Sequence, residues 1–263
     1  MNAMSSIDLE SVEIGASRLR SYLVILIVSM LIVIAINTYT TLSLEKYTRD
    51  LKPIDAMGLY ASVILTIVFW IIPQVVYYTA TRSLAKWSEK FTPYMQLASA
   101  FIAILLLQRV IGAYQLYRAI NEYNNSLAQL RVAHVDLVSI YGLTAIYDFV
   151  AGGVFTVILV GVLNVIAREG ARTLSSVEKS EGEHSSVEEP CGVFCKLNEG
   201  VTYLRIAQAH FIMGGIFLFM HAEARIPGLV IMLFGLAFLV NGSIKSALRV
   251  GVLLEKMRPP STE

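Results

Sequence analysis

The sequence predicts an all-helical membrane protein: a six-transmembrane-helix bundle with both termini on the cytoplasmic side. Three observations predict it. Hydrophobic residues make up 56% of the 263-residue chain and charged ones only 16%, against about 25% charged in soluble domains. The apolar residues gather in blocks, and about 20 apolar residues suffice to cross a bilayer as a helix. Lysine and arginine also alternate between the two sets of span ends, fourteen on one side and six on the other, with Arg109 left inside a span. An excess of cations marks the cytoplasmic side, and a five- or seven-span reading would break the alternation.

The spans fall at about 21–37, 57–80, 93–117, 138–168, 201–220 and 228–248. The first, with core LVILIVSMLIVIAI, is rich in β-branched residues. In lipid it reads as a helix, because an unpaired backbone is not tolerated there. Asp8, Glu10 and Glu13 precede it and no A-x-A site follows, so it reads as a retained span rather than a secretory signal. Residues 38–56 read as a short polar link punctuated by Pro53. The second span contains Pro73, which removes a helical hydrogen bond and predicts a kink. Pro93 opens the third span at a position that suits proline. Residues 118–136 form a polar link into which the flanking helices extend.

The fourth span carries Asp148, the most informative residue of the chain, since a carboxylate in a span is costly unless it faces protein, water or a partner. Residues 169–200, rich in Ser, Glu and Gly, read as a flexible cytoplasmic loop. A tight turn at residues 221–227 joins the last two spans. Gly152, Gly153, Gly214, Gly215 and Gly235 are the expected points of close helix contact. The whole chain is one integral membrane domain.

The chemistry concentrates in few residues. Arg109 lies eight residues from the outer end of its span at Tyr117, and Asp148 ten residues from the outer end at Val138. At 1.5 Å per residue their depths agree within about 3 Å, which predicts a charge-assisted pair. Such a pair either lines a polar cavity or locks two helices. Gln74, beside the proline, and Gln108, beside Arg109, complete the polar set; amides in spans usually bond across helices. His184, Cys191 and Cys195 lack the spacing of a zinc site, and His210 and His221 lie at opposite faces. No phosphate-binding, dinucleotide, zinc-protease or nucleophile-elbow motif occurs, so neither a metal nor a cofactor is expected, and an intramembrane enzyme ranks third, behind a transporter and a scaffold. A net charge of +1 makes no case for nucleic acid. The expected partners are the lipid bilayer and either a second copy of the chain or a partner membrane subunit. The reading is a small-solute or ion transporter or channel in the cell membrane with a polar site around Asp148; the alternative is a non-catalytic scaffold or accessory subunit.

Overall fold

The computed structural model describes residues 6–129, 153–170, 172, 191–220 and 224–257. Among them it is helical throughout: α1 (Ser6–Arg49), α2 (Ala56–Trp87), a short 3-10 turn (Glu89–Phe91), α3 (Thr92–Ala128), α4 (described over Gly153–Gly170), α5 (Cys191–Met220) and α6 (Arg225–Met257). Five of these helices are long and apolar enough to cross a membrane. Their surfaces expose large aliphatic side chains, such as Val24, Val28 and Leu31 on α1, Ile64 and Leu65 on α2, and Leu107 and Val110 on α3. In water such a surface would aggregate; in lipid it is the surface a spanning helix requires. The chain is a multi-pass integral membrane protein.

The helices outrun the apolar blocks. α1 has 44 residues, about 66 Å of helix, roughly twice the hydrocarbon thickness. The expected polar link at residues 38–56 is therefore largely helical. Its hydroxyls fold back on their own backbone, Ser43 Oγ donating to Tyr39 O at 2.8 Å and Thr48 Oγ1 to Leu44 O at 2.9 Å, so polarity here does not end the helix. Termination comes at Leu51, at φ 51°. Lys52 N–H bonds Tyr47 O at 3.0 Å and Leu51 N–H bonds Thr48 O at 3.3 Å, a Schellman closure with leucine where glycine is usual. Likewise α5 begins at Cys191, so the last ten residues of the link expected to be flexible are helical.

Capping sets the next boundaries. The Asp55 carboxylate accepts from Met57 N–H at 3.0 Å and starts α2. Ser88 closes α2 through its own N–H to Leu84 O at 3.0 Å and opens the 3-10 turn with its side chain. α2 is continuous through Pro73, whose missing N–H leaves the Phe69 carbonyl without its helical donor.

Packing pairs α5 with α6, α1 with α2, α1 with α6 and α2 with α3. The main core lies toward one end, where Leu19, Tyr22 and Leu23 of α1 meet Tyr77 and Leu84 of α2, Phe155 and Leu159 of α4, Leu204 and Phe211 of α5, and Leu239 and Val250 of α6. Its centre is aromatic: Phe155 lies 5.9 Å from Tyr22, 4.9 Å from Tyr77 and 5.4 Å from Phe101, ring centre to ring centre. A smaller cluster of Leu44, Ile54, Leu59, Leu116, Ile120 and Tyr123 joins α1, α2 and α3 at the other end.

At that second end α3 grips the α1–α2 connection. The Asn124 carboxamide accepts from Ile54 N–H at 2.9 Å and donates to Ile54 O at 3.2 Å, and the Tyr123 hydroxyl donates to Tyr47 O at 3.2 Å. At the main-core end the stitches are ionic. Lys90 and Arg172 both reach Glu169, at 2.6 and 3.1 Å, and Lys245 pairs with Glu199 while lying 4.5 Å over the Tyr203 ring.

Candidate polar site between α2 and α3

Between the two apolar clusters the buried residues turn polar. Ser29, Asn37 and Thr40 of α1, Thr66 and Gln74 of α2 and Arg109 of α3 are all buried there. Thr66 is self-satisfied, donating to Ser62 O at 2.9 Å. Asn37 and Arg109 each have polar interactions of their own.

Gln74 and Arg109 both line one cleft, whose surface is almost wholly apolar. Its α2 wall is Ile67, Trp70, Ile71 and Gln74; its α3 wall is Ile102, Leu105, Leu106 and Arg109. Both walls follow the same i, i+3, i+4, i+7 spacing, the seam of one helical face. The helices run antiparallel, with Tyr60 against Tyr117 (ring centres 6.3 Å apart) fixing their register. Arg109 therefore stands level with Ile67 and Gln74 level with Ile102. The two polar residues occupy opposite ends of the cleft, about 10 Å apart along the axis. The unfilled space, counting its open mouth, is about 300 Å³, and its inner part is narrow enough for about one water-sized group.

The hydrogen-bonding state of this cleft is unusual. Gln74 is 1% exposed, yet neither its Nε2 nor its Oε1 has a hydrogen-bond partner. Trp70, 6% exposed and one turn away on the same face, has an unpartnered Nε1–H as well. A buried amide left unsatisfied costs about 1–3 kcal/mol, and most buried polar atoms in folded proteins are satisfied.

Of the residues the sequence singles out, Gln74 and Arg109 share this cleft. Gln108 is half-buried and does not line it. Asp148 lies outside the described residues, as do His184, His221 and the side chains of Cys191 and Cys195. Trp70 was not singled out; its signal is the four-residue spacing to Gln74, which places both on one helical face. His210 is tied locally, its Nδ1 2.8 Å from Ile206 O and its ring 5.2 Å from Phe238. Among the described residues no group of His, Cys, Asp and Glu side chains is arranged to hold a metal ion. No known protein family matches the chain, and no curated protein or solved structure is detectably similar to it.

Proposed function

We propose that the protein passes a small solute or an ion across the cell membrane by way of the α2–α3 cleft. Gln74 and Arg109 are the contact residues, Asp148 is the charge partner of Arg109, and Gln108 is a neighbouring amide on α3. The observation that carries this reading is the Gln74 carboxamide, 1% exposed with both ends unpartnered, on a cleft that also holds a guanidinium. A helix lock would use up its hydrogen-bonding groups, whereas a site that receives something keeps them open. Polar residues inside spans mark solute and ion pathways by default. Asp148 belongs to the site through its depth, which matches that of Arg109 when counted from the span ends. The excess of cations at one set of ends turns both termini and residues 169–200 toward the cytoplasm.

The test is a flux screen in proteoliposomes covering protons, alkali cations and small neutral solutes, with wild type, Gln74→Leu and Asp148→Asn. Wild type is expected to exceed protein-free vesicles for at least one of these. Gln74→Leu is expected to lower that flux roughly tenfold, the equivalent of one hydrogen bond. Equal flux in wild-type and protein-free vesicles removes the transport reading.

A second reading, an accessory subunit of a larger membrane complex, is favoured by α3. Its most apolar window is only 17% buried, against 28–50% for the other candidate spans. On this reading the free face of α3 meets another membrane subunit. Crosslinks from Leu107 or Val110 that reach only lipid would count against it.

A further inference from the structure

We infer that the groove between α1 and α2 at the main-core end holds an anionic phospholipid, with its phosphate on Arg18, Arg82 and Lys86 and an acyl chain along the apolar flank of α2. The inference is independent of the passage reading and concerns a different face of α2.

Helix packing brings the three cations together. An added methyl at Gly15 would lie 3.1 Å from Leu84 N, so α1 and α2 run close here. Arg18 crosses from α1 to α2, its Nη1 donating to Thr79 O at 3.5 Å and to Ser83 Oγ at 3.4 Å. Lys86 follows Thr79 at i+7 and Ser83 at i+3, on the same helical face, and Arg82 flanks Lys86 one turn back. All three cations are exposed.

Protein carboxylates do not compensate this charge. Among the described residues Lys90 and Arg172 share Glu169, Lys245 takes Glu199, and at the other end Arg49 and Lys52 share Asp50. No ion pair among the described residues involves Arg18, Arg82 or Lys86. Basic pockets between spanning helices take anionic headgroups, and the planar guanidinium fork matches phosphate.

Depth selects a lipid over a dissolved anion. Arg18 and Arg82 lie just outside the apolar spans, by about 3–5 Å of helix, which is the headgroup layer. Lys86, one turn further out, reaches back on its flexible stem. Toward the bilayer centre Val75, Ile72 and Val68 precede Thr79 at i−4, i−7 and i−11, one helical stripe, and they are 48%, 42% and 42% exposed. A dissolved anion would use the cations alone; a phospholipid uses the cations and the stripe together.

The experiment uses the full chain in a neutral detergent, titrated with phosphatidylglycerol or phosphatidylcholine, with bound lipid read by native mass spectrometry. Phosphatidylglycerol is expected to bind roughly tenfold tighter than phosphatidylcholine. Each of Arg18→Gln, Arg82→Gln and Lys86→Gln is expected to weaken the anionic lipid roughly fivefold and to leave phosphatidylcholine unchanged. A control at the other end, Lys46→Gln, Lys52→Gln and Arg118→Gln together, removes as much charge as all three and is expected to keep wild-type binding. Folding is read separately. Unfolding midpoints without added lipid are expected to stay close to wild type, while the rise given by phosphatidylglycerol is lost. Equal binding of the two lipids overturns the inference. So does an equal loss in the control, which makes the effect one of net charge. Displacement of the lipid by millimolar inorganic phosphate makes the ligand a dissolved anion and overturns it as well.

Discussion

The α5–α6 pair and the α2–α3 pair are built on opposite principles. Between α5 and α6 the backbones touch through glycine. A methyl at Gly242 would lie 3.0 Å from Gly200 O and 3.0 Å from Leu204 N, one at Gly214 2.9 Å from Gly228 O, and one at Gly235 2.9 Å from His210 Cβ. In lipid, where no hydrophobic effect drives helices together, such close van der Waals approach is what holds them. Between α2 and α3 no glycine lines the cleft. Tryptophan, isoleucine, leucine, glutamine and arginine face one another there, and large side chains that fail to interlock leave a gap. One pair is a close clamp; the other keeps a narrow gap, with the Gln74 amide and the Trp70 indole N–H buried and unpartnered on its α2 wall.

The largest effect expected from this contrast is at the clamp. Gly242→Val forces branched bulk against two backbone atoms that cannot rotate away and is expected to cost about 1–3 kcal/mol, read as a lowered midpoint of unfolding in detergent. A wild-type midpoint would mean that α5 and α6 are held by something other than this contact. Next comes Gln74→Leu. Replacing a buried, unpartnered amide with an apolar side chain of similar volume is expected to raise stability by about 1 kcal/mol while flux falls. A loss of stability instead would make Gln74 a structural bond and close the gap between the two regions. The smallest effect is at Gly58, on α2, where an added methyl meets nothing within 4 Å. Gly58→Ala is expected to stabilise the helix by about 0.5–1 kcal/mol, and a destabilisation would show that glycine is confined by something besides helix contact.

The same contrast marks how far the sequence can be read. Six apolar blocks announce six helices, and Gln74 and Arg109 stand out because polar groups in lipid-facing text are rare. Gly153, Gly214 and Gly235 are identifiable as contact points, and each would bring an added methyl to 3.3 Å or less of a neighbouring helix. Gly15, Gly161, Gly200 and Gly242 do the same without being foreseen, because a glycine's use depends on which helix lies opposite. Helix ends are hidden in the sequence for a different reason. Hydropathy records where lipid stops, whereas α1 continues to Arg49 because its hydroxyls are satisfied locally. Trp70 does not stand out in the sequence, because an indole among isoleucines reads as packing; only the unmet N–H, visible in three dimensions, gives it a second meaning. The match in depth between Arg109 and Asp148 stays a matter of counting, since Asp148 lies beyond the described residues.

The two-point hold of Asn124 on Ile54 has a mechanical consequence. It pins one extremity of α3 to the neighbouring hairpin, and the brief 3-10 turn after Ser88 pins the other. A rod fastened at both tips cannot swing like a door; it can only bow, and the greatest excursion of a bow is at its middle. Any widening of the α2–α3 cleft therefore comes from flexure along the waist of α3, with the two anchorages as stationary nodes.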